Sequence, residues 1–426
     1  MQVRDISKIR INHLTILAFV MYILLFDLVL GGSGNVFAVG PLSVRKVFVV
    51  IAVGLLFIDA FINGLKLNRK ALLALGFIMY LVFSWAWGVV RGNNMSFATD
   101  ELFGYFSLLL IPVYFTCFSR DEISIVTYMK LFRALTILLS LIAIGVWGIC
   151  FVGGGSVSLS IYSVLTRLNY GYLSYAGSIP RLFFKGHVFI CIGSLFSIYN
   201  MFTKRVTLKE VIVLGIYLAA ILVSFTTGFL VFASLVTFII FIHCSSKDAR
   251  KAVIPVVILI LLVIVVIQSG AIDALKDRFS KSSNDGLVSA STKGTEFFVL
   301  IDEFTRSPII GSGLGGELSE YYALLSKYTF RFEIMWLELL FHTGLVGFGL
   351  YVTLIVVTFI DMFKEYKAKN NVYCYVLAMG LLFLCMETCT NPFMNNAIGI
   401  GFLAICAGLA NSNNFKKAEV TGTGGV

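Results

Sequence analysis

Long apolar runs alternate with short, mostly basic breaks along almost the whole chain. A helix needs about 20 apolar residues to cross a bilayer. By that measure spans are predicted at 11–30, 44–65, 71–90, 101–118, 134–152, 183–202, 208–224, 227–244, 252–268, 334–360, 372–390 and 396–411. The expected fold is all-α, a polytopic integral membrane helical bundle of about twelve transmembrane helices. Residues 208–244 form one run of 37, tight for two spans, and Ser224-Phe-Thr-Thr227-Gly228 supplies a turn in its middle.

Two longer stretches interrupt the alternation, at 153–182 and 269–333. They divide the chain into 1–268, with nine spans and the outer loop 153–182, a large loop at 269–333, and 334–426, with three spans and a tail. Within the large loop Phe297, Leu300, Ile301 and Phe304 recur at i, i+3, i+4 and i+7. That spacing predicts an amphipathic helix resting on the membrane interface or the top of the bundle. Pro308 should end it, and Gly311-Ser-Gly313-Leu-Gly315-Gly316 reads as a flexible turn.

Composition agrees: 58% of residues are hydrophobic and 13% charged, against about 25% charged in soluble domains. The net charge of +10 does not point to nucleic acid, because the basic residues sit in small clusters between apolar runs. They act instead as topology signals. Placing the N-terminus inside puts 20 of the 33 Lys and Arg residues on the cytoplasmic side, so both termini are expected there. The loops 153–182 and 269–333 then face outward, and Arg45 and Lys46 break the charge rule. The N-terminal run reads as an uncleaved first span. The eight cysteines lie in or beside apolar runs, and neither CxxC nor HExxH occurs. No disulfide framework, metal or other cofactor is expected.

A 65-residue polar segment suits chemistry at the membrane surface better than passive conduction. The outer loops carry Arg167, Arg181, Lys276, Arg278, Lys281, Lys293, Arg306 and Arg331. Arginine matches phosphate with two parallel hydrogen bonds, so these cations are candidates for holding a lipid-linked pyrophosphate and neutralising it as it leaves. Arg181 and Arg278 stand out, each near a point where the chain enters or leaves the membrane. Glu333 opens the tenth span and is a candidate general base for a sugar hydroxyl. Glu338 and His342 share a helix face at i, i+4 and are expected to hydrogen-bond each other. Asp27 and Asp59 read as structural, and Glu387 is a further polar candidate.

The segment from Lys293 to Pro308-Ile-Ile-Gly311-Ser-Gly313, followed by Trp336-Leu-Glu-Leu-Leu-Phe-His-Thr-Gly344-Leu-Val-Gly347, resembles the O-antigen ligase/polymerase superfamily. The likeness covers about 60 residues, with Ser224-Phe-Thr-Thr-Gly228 standing where that family has a Ser-Arg-Gly turn. Lys293 stands where the family usually has arginine, and Glu333 where its ligases have histidine. The resemblance implies a metal-independent membrane glycosyltransferase that polymerises undecaprenyl-pyrophosphate-linked repeat units at the periplasmic face of the bacterial inner membrane. It implies a catalytic role for Glu333 and Arg278, substrate contacts from Arg181, Lys293, Arg306, Arg331, Glu338 and His342, and a separate chain-length regulator as partner. The alternatives are a ligase that transfers finished glycan to lipid A core or protein, and a lipid-linked oligosaccharide flippase.

Overall fold

The computed structural model describes residues 13–32, 34, 36, 38–39, 42–64, 67–176, 179–204, 206–245, 294–318 and 331–410. The expected span at 252–268 and the candidates Arg278 and Lys293 lie outside them. Helices α1 (His13–Leu30), α2 (Val44–Asn63), α3 (Arg69–Val90), α4 (Met95–Tyr105), α5 (Leu110–Ser119) and α6 (Ile125–Arg167) come first. After a hairpin follow α7 (His187–Thr203), α8 (Leu208–Ser224), α9 (Thr227–Ser245), α10 (294–306), α11 (Met335–Lys369), α12 (Val372–Glu387) and α13 (Ala397–Leu409).

Seven described helical segments are long and apolar enough to cross a membrane, with α4 and α5 counted as one. Their apolar residues also point outward, Phe61 on α2 being 90% exposed and Met79 on α3 74%. Large apolar side chains left this open belong against lipid. By contrast α7, α12 and α13 are only 17, 16 and 13 residues long. They are buried on nearly all sides, forming the centre around which the lipid-facing helices pack.

Short polar residues start these helices by accepting the first backbone N–H groups. Ser43 does so for Lys46 N, Asn68 for Ala71 N, Thr207 for Glu210 N and Asn396 for Ile398 N. The run 208–244 does divide into two helices, at a Ser224–Thr226 turn where Phe225 takes the left-handed conformation (φ 46°).

Two expectations change. The outer loop 153–182 is not a loop: α6 bends at Gly154 (φ 69°) and continues to Arg167. Strands β3 (Gly171–Ala176) and β4 (Ile179–Phe184) then pair antiparallel, Ser174 opposite Arg181. With a smaller pair, β1 (Ala38–Val39) and β2 (Leu42–Ser43), they are short hairpins within a fold that is all-α as expected. The fourth span begins earlier, at Met95, and passes through a tight turn at Phe106–Leu109 before α5.

Helix α10 forms as the spacing predicts, but its buried line is Glu296 and Leu300, while Phe297 is 45% exposed. Leu300 packs with Leu318, Phe332 and Phe341, and Glu296 accepts the N–H of Ile334 at 3.0 Å. The helix therefore rests on the entry to α11.

The charged residues sort to the two ends of the helices. At one end Asp59 pairs with Arg120 and His13, Asp361 with Lys70 and Arg69, and Glu210 with Arg133. This is the end that the charge rule assigns to the cytoplasm. The candidate site lies at the other.

Candidate functional site

The glycine-rich segment after Pro308 places the site. It is clamped between α3 and α11 rather than loose. Ser312 N donates to Phe341 O, Gly313 N to His342 O and Leu314 N to Ser84 O. Asn93 Nδ2 donates to the carbonyls of Ser312, Gly313 and Leu314. The contact is so close that a Cβ on Gly313 (φ 87°) would sit 2.3 Å from Gly88 Cα. A Cβ on Gly344, the bend in α11 at φ 61°, would sit 2.3 Å from Ile309 O. Leu345 N and Val346 N donate to the carbonyls of Pro308 and Ile309. The segments Pro308–Gly313 and Gly344–Gly347 are thus packed on each other.

This clamp delivers Gly315 and Gly316 to three buried ionisable side chains. Glu101 on α4 accepts Gly315 N–H at 2.9 Å, and its other oxygen lies 2.6 Å from His342 Nδ1. His342 Nε2 faces Gly316 O at 3.1 Å. Glu338, one turn before His342, accepts from Phe332 N at 3.0 Å and from Asn395 Nδ2 at 3.1 Å. The expected Glu338–His342 hydrogen bond is replaced by one from His342 to Glu101. One donor atom from each of the three lies within 4.8 Å of the others. That separation is suitable for a cation, but the imidazole nitrogens are both already engaged within the protein, so we assign no metal.

Glu101 and Glu338 line a cavity of about 410 Å³, with Arg45, Lys185 and Arg331 on the same wall set, along with Phe183, Phe393, Asn391 and Asn395. Arg45 is buried, held by Asp27 Oδ2 at 2.6 Å and by the carbonyls of Asp27 and Gly32. Its remaining terminal nitrogen, Nη1, has no partner among the described residues. Lys185 donates to Asn169 Oδ1 at 2.7 Å. Burial first, and then the neighbouring Arg331, push the Lys185 amine down to about 8.

The residues expected from sequence divide accordingly. Glu338 and Arg331 line the cavity, and His342 sits behind Glu101. Glu333 is exposed and does not line it. Arg306 is exposed and pairs with Asp302 and Glu303 of its own helix, so it is a solvated surface charge, not a cavity cation. Arg181 donates to Ser224 O at 3.0 Å and lies over the Tyr172 ring, tying the hairpin to the α8–α9 turn. Glu387 is buried against Gly228 at that same turn. Glu101, Arg45 and Lys185 were not singled out as site residues from sequence. A comparison with protein-family models and with curated proteins finds no match to this chain.

Proposed function

We propose that the chain is a membrane glycosyltransferase that polymerises undecaprenyl-pyrophosphate-linked oligosaccharide repeats into a surface polysaccharide. It would do so at the periplasmic face of the bacterial inner membrane, with twelve spans and both termini in the cytoplasm. The observation that carries this reading is the cavity, where two buried carboxylates meet three cations at the end opposite the ion pairs of Asp59 and Asp361.

Such a transfer makes two demands. The departing pyrophosphate needs fixed positive charge, and the attacking hydroxyl needs a proton acceptor. Arg45, Lys185 and Arg331 suit the first. Glu338 suits the second better than Glu333, because it opens on the cavity with its geometry fixed by Phe332 N and Asn395. The acceptor oxygen would form a bond to the anomeric carbon of the growing chain as the carbon–oxygen bond to pyrophosphate breaks. The pyrophosphate would leave with that electron pair, and Glu338 would take the hydroxyl proton. Direct displacement of this kind inverts the anomeric carbon.

The test is a glycan ladder from a strain lacking the protein, complemented with wild type or Glu338→Gln. Lipid A core bearing a single repeat, in the deletion and in the variant, supports polymerase. Long glycan accumulating on the lipid carrier beside bare lipid A core would mean ligase, and unchanged ladders would sink both.

A further inference from the structure

His342 is fully buried, and each of its ring nitrogens faces an acceptor. Nδ1 is 2.6 Å from Glu101 Oε1 and Nε2 is 3.1 Å from Gly316 O. A neutral imidazole carries one N–H, whereas imidazolium carries two. Glu101 in turn receives an N–H from Gly315 on its second oxygen, as a carboxylate does. Glu338 also receives two donors, from Phe332 N and Asn395 Nδ2. The hydrogen bonds therefore fit a carboxylate at Glu101, a carboxylate at Glu338 and an imidazolium at His342, and one atom of each lies within 4.8 Å of the others, close enough for the charges to act on one another through space. Without that cation, two carboxylates this close would resist ionising together.

We infer that His342 is a positioning residue, an imidazolium that Glu101 holds charged and that keeps Glu338 ionised to receive the acceptor's proton. The last step rests on the proposed role of Glu338 as base; the charge on His342 does not. The other titratable groups around the three side chains are Arg331 before α11, Tyr105 on α4 and Tyr80 on α3, whose hydroxyl donates to Thr343 O. Among the described residues α13 brings no charged side chain to this face.

The state of His342 is read directly by nitrogen-15 spectra of the full-length protein, labelled at histidine and held in lipid bilayers. The chain has four histidines, and His342→Gln assigns the signal by difference. At pH 7.5 a free imidazole, which titrates near about 6.5, is mostly neutral. His342 should instead show two protonated nitrogens, and Glu101→Gln should convert it to a neutral tautomer. A neutral tautomer in the wild type would overturn the inference.

A second measurement tests the link to Glu338. Complemented deletion strains are grown at pH 6 and pH 8 and their glycan lengths compared. His342→Gln should lose long chains roughly tenfold at pH 6 and regain them at pH 8, since Glu338 must then ionise beside Glu101 unaided. Glu338→Gln should lose them at both. Equal loss at both pH values in His342→Gln would overturn the link. Normal chains in Glu338→Gln would overturn the base assignment while leaving the nitrogen spectra to stand.

Discussion

Glu101 Oε1 and His342 Nδ1 lie 2.6 Å apart although 241 residues separate them in the chain. The pair joins α4 to α11, and through Gly315 N and Gly316 O it also fixes the end of the glycine-rich segment. One contact therefore sets the distance between two helices and the path of the chain entering the cavity. Breaking a buried pair from one side strands the other charge, at a cost of about 3–5 kcal/mol. Glu101→Ala should lower thermal stability in detergent by that order. Glu101→Ala/His342→Ala should recover part of the loss, because neither charge is then stranded.

The glycine clamp makes a separate prediction. Gly313 has φ 87° and touches Gly88 backbone to backbone. Alanine there meets both backbone strain, about 1–3 kcal/mol, and a collision with main chain that no rotamer change relieves. Gly313→Ala should therefore lower the unfolding temperature clearly. Gly349→Ala on α11, which has open space beside it, should leave the temperature unchanged or raise it slightly. If the segment were a flexible turn, both variants would melt like the wild type.

Much of this architecture is visible in the chain because hydropathy marks spans directly, and even the tight pair at 208–244 separates where Ser224-Phe-Thr-Thr announces a turn. The continuation of α6 is hidden by Gly153-Gly154-Gly155 and the serines that follow, which mimic a loop although only Gly154 leaves helical geometry. The glycines of 311–316 look mobile in sequence because their partners, Gly88 and His342, are far away in the chain. Arg306 carried its own answer: Asp302 and Glu303 stand four and three residues before it on one helix. Glu101 was visible as an ionisable residue at the head of a span, and Arg45 as an exception to the charge rule. Nothing in the local sequence marks Lys185, since hairpin pairing and the fold around Arg331 bring it to the cavity.

Arg45 lines the cavity; it spends two of its three nitrogens on Asp27 and Gly32 and keeps the third, Nη1, buried without a partner among the described residues. A lysine keeps the charge but not the fork that does both at once. Arg45→Lys should leave the protein in the membrane at normal abundance and reduce glycan elongation by at least about tenfold, the effect of losing roughly 1.4 kcal/mol of stabilisation of a developing charge. Arg45→Ala strands buried Asp27 and should reduce abundance as well. Normal chain length with Arg45→Lys would remove Arg45 from the proposed donor contacts.

Lys185 gives the site a pH dependence on the alkaline side. Its amine is held down to about 8 by burial and by Arg331, where a free lysine sits near about 10.4. Below pH 8 it is a cation facing the cavity, and above it the charge is lost. Affinity of the purified protein for inorganic pyrophosphate should fall as pH rises from 7 to 9, and Lys185→Arg, always charged, should flatten that fall. The effect on folding runs the other way. Between pH 8 and about 10.4 the unfolded chain holds a proton that the folded protein has released, so this group favours the folded state increasingly as pH rises through that window. Weaker pyrophosphate binding at pH 9 with no loss of thermal stability would separate a lost ligand contact from general unfolding. A flat wild-type binding curve over the same range would exclude Lys185 from the proposed pyrophosphate contacts.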